Sequence, residues 1–230
     1  MLEYTDALPV CESCPAGKAK QAPVKKVSEQ SVKLHKGDLM YSDTSGKLAV
    51  PSTKGARYTH TVVDSHSRMG FPCGLIRKSD ITAVEDNLYG SISVGTNHDL
   101  VVKEVLTDGD RSNYNSVKYK SMLAKRKIQR LTIPEYVSAY AGVIERNQGS
   151  CDSMALAALH YANLGYMFYI MAYVLAWWVK NRMVNRALGW DIPWLRWQDR
   201  DVCFKFLRIF GCPATVTVPH SKRIKHQTRS

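Results

Sequence analysis

The feature that most constrains this chain is the apolar stretch at residues 154–179, which is long enough to span a lipid bilayer as one helix. Its interior contains His160, Asn163 and Gly165. Several polar residues are uncommon inside a membrane span, and an Asn or Gly can end a helix. We therefore expect two consecutive core helices that are hinged near Asn163–Gly165, with a membrane span as the alternative.

The rest of the chain alternates between segments typical of strands and segments typical of helices. Strands are predicted at Leu39–Thr44 and at residues 58–63, 70–77, 100–106 and 129–133, and helices at residues 81–92, at 114–127 and from about 143 to 188. The pair Ser79–Asp80 is predicted to cap the first of these helices. This order predicts an α/β fold in which helices pack against a mixed sheet.

The charge of the chain favours a polyanionic partner. There are 32 Lys and Arg against 20 Asp and Glu, which gives a formal net charge of +12. The basic residues are concentrated at 18–36, 111–130 and 220–230. When basic side chains neutralise phosphates, condensed counterions are released, which favours binding. Nucleic acid is therefore the commonest partner of a chain with such an excess of positive charge. A basic surface that is merely solvated is the alternative.

The cysteines do not indicate a disulfide framework. The sequence contains six, and only Cys11 and Cys14 form a close pair. The amino-terminal residues lack the apolar core of a signal peptide. We therefore expect a reducing compartment rather than a secreted, disulfide-bonded protein.

Three acidic residues lie at the ends of predicted elements. Asp43 is at the end of the first strand, Asp108 directly follows the apolar strand, and Glu145 is near the start of the first long carboxy-terminal helix. Clustered carboxylates repel one another unless a cation neutralises them. Hard oxygen ligands of this kind suit Mg²⁺ or Mn²⁺. Taken alone, however, an Asp at a strand end is more often a turn residue, and a Glu in a helix is more often solvated.

A series of short motifs, in register over nearly the whole chain, resembles the integrase region of copia-type retrotransposon polyproteins. The motifs are CESC at 11–14 with GK at 17–18, YSD at 41–43, VVDSHSR at 62–68, IRKS at 76–79, TD at 107–108, GVIERN at 142–147, NR at 181–182, IP at 192–193 with Trp197, and LRIFGC at 207–212. Any one of them is weak, whereas their common order is a strong signal. The sharpest is GVIERN, which contains Glu145.

The resemblance implies a ribonuclease H-like fold with a mixed five-stranded sheet and a helical carboxy-terminal part. It makes Asp43, Asp108 and Glu145 the metal-binding and catalytic triad of a DNA-integrating enzyme that uses Mg²⁺ or Mn²⁺. The implied partners are the element's DNA ends and target DNA, and no small-molecule substrate or membrane is expected. A homo-oligomer is also implied, as is a location in the nucleus or in a cytoplasmic particle before nuclear entry. The candidate phosphate contacts are Lys118, Lys120, Lys125, Lys127 and Arg146.

The resemblance also divides the chain. Residues 1–36 are expected to be a remnant of a zinc-binding segment and a lysine-rich linker, 37–200 the catalytic core, and 201–230 the start of a carboxy-terminal extension. The family's zinc site needs two histidines before Cys11 and Cys14, and the sequence has none there. Structural zinc takes four ligands, so Cys11 and Cys14 are candidate zinc ligands only if further ligands come from elsewhere, and bound zinc is not expected. On this basis we interpret the chain as a truncated copy.

One departure from the family leaves two alternatives open. The family usually follows its second Asp with Asn-Gly, whereas Gly109 and Asp110 stand here, so Asp110 competes with Asp108 for the second metal position. A misplaced carboxylate impairs such chemistry even when the triad is retained. The alternative function is therefore a catalytically inactive relic that binds nucleic acid through its basic surface.

Overall fold

A computed structural model of the chain describes residues 35–95, 100–107, 113–132 and 141–214. The strands are β1 (Leu39–Thr44), β2 (Tyr58–Asp64), β3 (Gly70–Leu75), β4 (Glu104–Thr107) and β5 (Gln129–Thr132). The helices are α1 (Ile81–Gly95), α2 (Val117–Arg126), α3 (Ala141–Ala162), α4 (Tyr169–Lys180) and α5 (Pro193–Gln198). Short 3₁₀ turns lie at Lys78–Asp80, Tyr166–Phe168 and Arg186–Leu188.

The five strands form one mixed sheet in the order β3-β2-β1-β4-β5. The first three strands are antiparallel neighbours, whereas β4 runs parallel to β1 and β5 runs parallel to β4. This arrangement places the carboxyl ends of β1, β4 and β5 at one edge of the sheet. The predicted α/β fold with a mixed five-stranded sheet is confirmed.

Helices cover both faces of the sheet, because successive side chains of a strand point to opposite sides. Met40 belongs to an apolar cluster with α1 and α2, which contribute Ile81 and Leu123. Tyr41 belongs to a second cluster with α3 and α4, which contribute Ile144 and Trp177. We call these sides the α1/α2 face and the α3/α4 face.

The predicted bounds of β1 are confirmed, whereas β4 is shorter than the predicted strand. The predicted strand at 100–106 begins only at Glu104, where the ladder with β1 starts at the Leu39–Glu104 pair. Before that pair, the chain leading into β1 is a turn closed by a hydrogen bond from the amide of Asp38 to the carbonyl of His35. The Lys103 amide still donates to the Gly37 carbonyl at 3.0 Å, but Gly37 belongs to this turn and not to β1, so residues 100–103 stay outside the strand.

The predicted cap of α1 is wrong in detail. Ser79 and Asp80 lie within the 3₁₀ turn that precedes the helix, and Arg77 is its N-cap. The Asp80 carboxylate accepts a hydrogen bond from the Arg77 amide at 3.0 Å. Asp80 therefore satisfies the amide at the start of the turn instead of capping α1 directly.

The apolar stretch forms two helices, as predicted. The first, α3, ends at Ala162, and Asn163 follows with a φ of 51°, the left-handed conformation that Asn tolerates at a helix end. The second, α4, begins at Tyr169 and packs against α3 as well as β3. Within the part of the chain that the structure describes, no helix has the length and hydropathy required to cross a membrane.

Close packing fixes α4 on the sheet. The Asn181 side chain forms two hydrogen bonds with the backbone of Gly70. Its Oδ1 accepts from the Gly70 amide at 2.9 Å, and its Nδ2 donates to the Gly70 carbonyl at 2.7 Å. The indole of Trp177 lies where a side chain at position 70 would be. The Tyr173 hydroxyl lies 2.9 Å from Oγ1 of Thr61 on β2. These contacts hold the helical carboxy-terminal part against the α3/α4 face.

Candidate functional site

Asp43 lies at the carboxyl end of β1, in the centre of the sheet, as predicted. It is two residues after Tyr41, so its side chain is on the α3/α4 face. The carboxylate is half-buried, and Oδ1 accepts a hydrogen bond from the Thr44 amide at 2.8 Å. The other carboxylate oxygen can take a further ligand on that side of the sheet.

The end of β4 lies beside the end of β1. The parallel register joins Ser42 to Thr107, which is the last residue of β4. In the sequence Thr107 directly precedes Asp108. Both Asp108 and its alternative Asp110 lie outside the described residues, so their place in the site stays a prediction.

Glu145 lies in the first turns of α3, as predicted, on the same side of the sheet as Asp43. Ile144, directly before it, is buried in the cluster that contains Tyr41. The Glu145 side chain is exposed. Among the described residues, no three His, Cys, Asp or Glu side chains lie together as a metal site. Two of the three predicted carboxylates are therefore on one side of the sheet, and the described residues do not complete the triad.

A buried polar cluster lies on the opposite face of β1, behind the strand end that carries Asp43. Its members come from β1, β2, α1, α2 and the turn before α2, and they are Ser42, Thr44, His60, Glu85, Tyr89, Tyr114 and Tyr119. Apart from the half-buried Thr44, all of them are buried. The surrounding core of the α1/α2 face is apolar.

Glu85 is the centre of this cluster. Its Oε1 accepts a hydrogen bond from Ser42 at 2.5 Å, and its Oε2 accepts hydrogen bonds from Tyr89 at 2.8 Å and Tyr119 at 2.7 Å. Nε2 of His60 lies 3.2 Å from Oε1, at ion-pair distance but without hydrogen-bond alignment. Burial alone raises the pKa of Glu85, but His60 and the Ser42 and Tyr119 hydroxyls outweigh burial and lower it. The cluster thus holds a buried carboxylate anion.

Tyr114 and Arg130 extend the contacts of the cluster to both strand ends. The Tyr114 hydroxyl lies 3.0 Å from Oγ of Ser42 and 3.4 Å from Oγ1 of Thr44. Arg130, on β5, donates to the Tyr114 carbonyl at 2.7 Å and to Oγ1 of Thr107 at 2.9 Å. Side-chain hydrogen bonds therefore connect the end of β1 to the end of β4.

Sequence reasoning missed this cluster, although one signal was present. Glu85 follows Ile81 and precedes Tyr89 by one helical spacing each, so it lies on the apolar face of α1. A carboxylate on such a face is buried and needs partners. Which strand residues supply them cannot be read from helical spacing.

The predicted phosphate contacts lie on exposed surface. Lys118, Lys120 and Lys125 are on α2, Lys127 follows it, and all four are exposed. Within the described part of the chain, none of the four forms an ion pair with an acidic side chain. Arg146 is exposed and donates from Nε to the Gly142 carbonyl at 2.7 Å.

The predicted zinc ligands Cys11 and Cys14 lie outside the described residues. The described cysteines are free thiols, of which Cys151 is buried and Cys203 and Cys212 are exposed. The expectation that no zinc is bound therefore stays a prediction.

Comparison with known proteins finds similarity to a retrotransposon polyprotein and to solved integrase structures. No protein-family model matches the chain. The Retrovirus-related Pol polyprotein from transposon TNT 1-94 of Nicotiana tabacum is 26% identical over 220 residues, which are 96% of this chain. The chain spans only 16% of the length of that polyprotein.

Two solved structures share the fold. The simian T-cell lymphotropic virus intasome in complex with PP2A regulatory subunit B56 gamma matches 91% of this chain and 69% of its own, with a TM-score of 0.59 and 16% identity. The HTLV-2 integrase catalytic core domain in complex with magnesium (trimeric form) matches 70% of this chain and 96% of its own, with a TM-score of 0.52 and 16% identity. At such identity the likeness shows the fold.

The mixed five-stranded sheet with helices on both faces is therefore the ribonuclease H-like fold of integrase catalytic cores. The helical carboxy-terminal part is also present. The predicted resemblance is confirmed, because the chain is similar to the integrase region of a copia-type retrotransposon Pol polyprotein.

Proposed function

We propose that the chain is an integrase-like polynucleotidyl transferase and endonuclease that acts on DNA with divalent metal held by Asp43, Asp108 and Glu145. One observation carries the proposal. Asp43 ends the central strand on the side of the sheet where α3 presents Glu145, and the neighbouring strand ends directly before Asp108. In the sequence Asp108 directly follows Thr107, which pairs with Ser42 on β1.

The donor set suits Mg²⁺ or Mn²⁺. Carboxylate oxygens are hard ligands, and the half-buried Asp43 and the exposed Glu145 belong to elements that pack together on the α3/α4 face. The magnesium in the HTLV-2 integrase core supports the same choice here. The carboxylates need such a cation, because three acids at one point otherwise repel one another.

The residues of the chain have separate tasks in the proposed reaction. Asp43, Asp108 and Glu145 hold the ions, which when bound activate the attacking oxygen and stabilise the leaving oxygen of a phosphodiester. The lysines of α2, together with Lys127 and Arg146, bind phosphates of the DNA through charge and fix its position. The reaction class is attack of water or a DNA 3′-hydroxyl on a phosphodiester.

The test is a nicking and strand-transfer assay on short duplex DNA with Mn²⁺. We expect activity in the wild type and none in Glu145→Gln, with both proteins folded. Glu104→Gln is the matched control, because Glu104 begins β4 at the end of the strand away from Thr107. Activity that survives Glu145→Gln, or a folded wild type without activity, contradicts the proposal.

A second candidate function is nucleic-acid binding without catalysis, and the surface around α2 favours it. Lys118, Lys120, Lys125 and Lys127 are exposed, and no acidic side chain of the described part neutralises them. Binding of this kind weakens steeply as salt rises and does not need a divalent ion. It predicts DNA binding that EDTA leaves unchanged.

A fluorescence-anisotropy titration with duplex DNA separates the two candidates. Replacing the four lysines by glutamine should weaken binding and reduce the salt dependence, whereas Lys54→Gln, on an exposed loop, should do neither. Metal-independent binding together with an inactive wild type supports the second candidate. Binding that the four substitutions leave unchanged contradicts a role for this surface in either candidate.

A further inference from the structure

The buried polar cluster lies directly behind the proposed metal site. Its members Ser42 and Thr44 flank Asp43 in the sequence, and their side chains point to the α1/α2 face while Asp43 points to the α3/α4 face. The hydrogen bonds of Ser42 and Thr44 therefore hold the strand end that carries Asp43, and loss of these bonds would let the Asp43 carboxylate move.

The same cluster also reaches the neighbouring strand end. Tyr114 contacts both Ser42 and Thr44 through its hydroxyl, and its carbonyl accepts a hydrogen bond from Arg130. Arg130 in turn donates to Thr107, the residue before Asp108. One set of contacts thus fixes the two strand ends relative to each other.

A buried carboxylate at the centre of the cluster is weak evidence for a gain in stability. Removing a carboxylate from water costs free energy, and a buried ion pair can often be replaced by packed apolar residues without loss of stability. Glu85 is 0% exposed and its partner His60 is 1% exposed. Their presence behind the site is better explained by the fixed geometry that directional hydrogen bonds impose than by a gain in stability.

We propose that Glu85 and Tyr114 are positioning residues, which fix the ends of β1 and β4 relative to each other and so set where the Asp43 carboxylate lies in the proposed metal site. The effect on metal binding rests on the proposed function, whereas the effect on the strand ends does not. Groups that orient metal ligands without touching the metal typically change its affinity by about 10- to 100-fold.

Tyr114→Phe is the sharpest test, because it removes only the hydroxyl that joins Ser42 and Thr44 and keeps the buried ring. Tyr169→Phe is its matched control, since it also removes one hydroxyl, which binds Asp152 between α3 and α4. Glu85→Gln removes the charge while keeping the size and hydrogen-bonding groups of the side chain. Each variant is measured for its melting temperature, Mn²⁺ affinity by calorimetry, and amide hydrogen exchange.

We expect Tyr114→Phe and Glu85→Gln to speed exchange at residues 42–44 and 105–107 and to weaken Mn²⁺ binding by about 10-fold or more. Tyr169→Phe should change neither the exchange at these residues nor the Mn²⁺ affinity, although its melting temperature should be similar to that of Tyr114→Phe. If Glu85→Gln does not fold, Tyr114→Phe still decides the outcome. Exchange and Mn²⁺ affinity in Tyr114→Phe that equal those of Tyr169→Phe overturn the positioning role.

The two proposals fail differently. A wild type that binds no Mn²⁺ overturns the proposed metal site. The exchange of residues 42–44 and 105–107 then decides alone whether Glu85 and Tyr114 fix the strand ends. Slow exchange that persists in both variants overturns the positioning role whether or not the protein binds metal.

Discussion

Ser42 on β1 pairs with Thr107 on β4, and each of these two residues is followed in the sequence by an aspartate. The pairing is parallel and lies at the centre of the sheet, so both strands end at the same edge. Asp43 already uses one carboxylate oxygen for the Thr44 amide. The role proposed for Asp43 is to bind the metal ion with its other oxygen, and this can be tested by metal binding alone, without any DNA substrate.

We expect Asp43→Asn to remove the stabilisation of the protein by Mn²⁺. Free ligand at 100 times its Kd stabilises a folded protein by about 2.7 kcal/mol, and this increment should vanish. Without metal the variant should be at least as stable as the wild type, because neutralising one of several clustered carboxylates relieves repulsion. Thermal melts with and without Mn²⁺ measure both effects. A full Mn²⁺ shift in Asp43→Asn would show that Asp43 is not a ligand.

The packing of Trp177 on Gly70 leads to a second prediction. A Cβ at position 70 would lie 2.0 Å from Cζ3 of Trp177, and the backbone cannot move freely because Asn181 binds it on both sides. We expect Gly70→Ala to lower the free energy of unfolding by about 1–3 kcal/mol, the usual cost of overpacking. Urea denaturation measures the loss.

Gly149→Ala is the matched control for this substitution. Gly149 is exposed on α3, and nothing lies within 4 Å of the position of an added Cβ. Alanine is favoured over glycine inside a helix, so this variant should be more stable than the wild type by about 0.5–1 kcal/mol. Equal effects of the two substitutions would contradict the close contact between Gly70 and Trp177.

Arg182 lies between two indole rings, and this contact gives a third prediction. Its guanidinium carbon is 3.8 Å from the ring centroid of Trp178 and 3.9 Å from that of Trp194, and the residue is 8% exposed. A lysine keeps the charge but cannot stack as a plane on both rings. We expect Arg182→Lys to lower the free energy of unfolding by about 2 kcal/mol.

Denaturation followed by tryptophan fluorescence measures the effect of Arg182→Lys. The control is Arg186→Lys, because Arg186 is exposed in the following 3₁₀ turn. Its stability should stay within about 0.5 kcal/mol of the wild type. A similarly small effect at Arg182 would show that planar stacking on the two rings adds no stability beyond what a lysine ammonium provides.

Local features of the fold were predictable because local signals agree with the tertiary structure. β1 was predicted with its observed bounds, and the break near Asn163–Gly165 was predicted from the polar residues and the glycine inside the apolar stretch. The predicted strand at 100–106 began too early, because β-branched residues favour a strand but do not show where the partner strand begins. The turn at Asp38 determines that point.

The candidate site was predictable only in part, for a similar reason. Asp43 and Glu145 lie on one side of the sheet because strand alternation and the start of a helix put them there. Glu85 was missed as a site residue because its partners, Ser42 and His60, lie on strands far from α1 in the sequence. Their meeting depends on how the helix docks, which sequence periodicity does not specify. Asp108 and the zinc-segment cysteines lie outside the described residues and stay predictions.

The cysteines give a last prediction, which depends on burial. Burial raises the pKa of the Cys73 thiol to about 12 and that of Cys151 to about 12. At pH 8 a thiol with such a pKa is ionised in only about 1 molecule in 10,000, whereas an ordinary thiol is ionised in about a quarter. Because the thiolate is the nucleophile, these two residues should react slowly with iodoacetamide in the native protein.

Cys203 and Cys212 are exposed and should react first. Peptide mapping by mass spectrometry, after short labelling at pH 8, gives the rate for each cysteine separately. In urea all of them should label at similar rates, because unfolding removes the burial that raises the pKa. Raising the pH of the native protein from 8 to 9 should increase the thiolate fraction of Cys151 about tenfold while access to the reagent stays limited by burial. Native labelling of Cys151 as fast as that of Cys203 would mean that α3 and α4 open readily, and would contradict their close packing on the sheet.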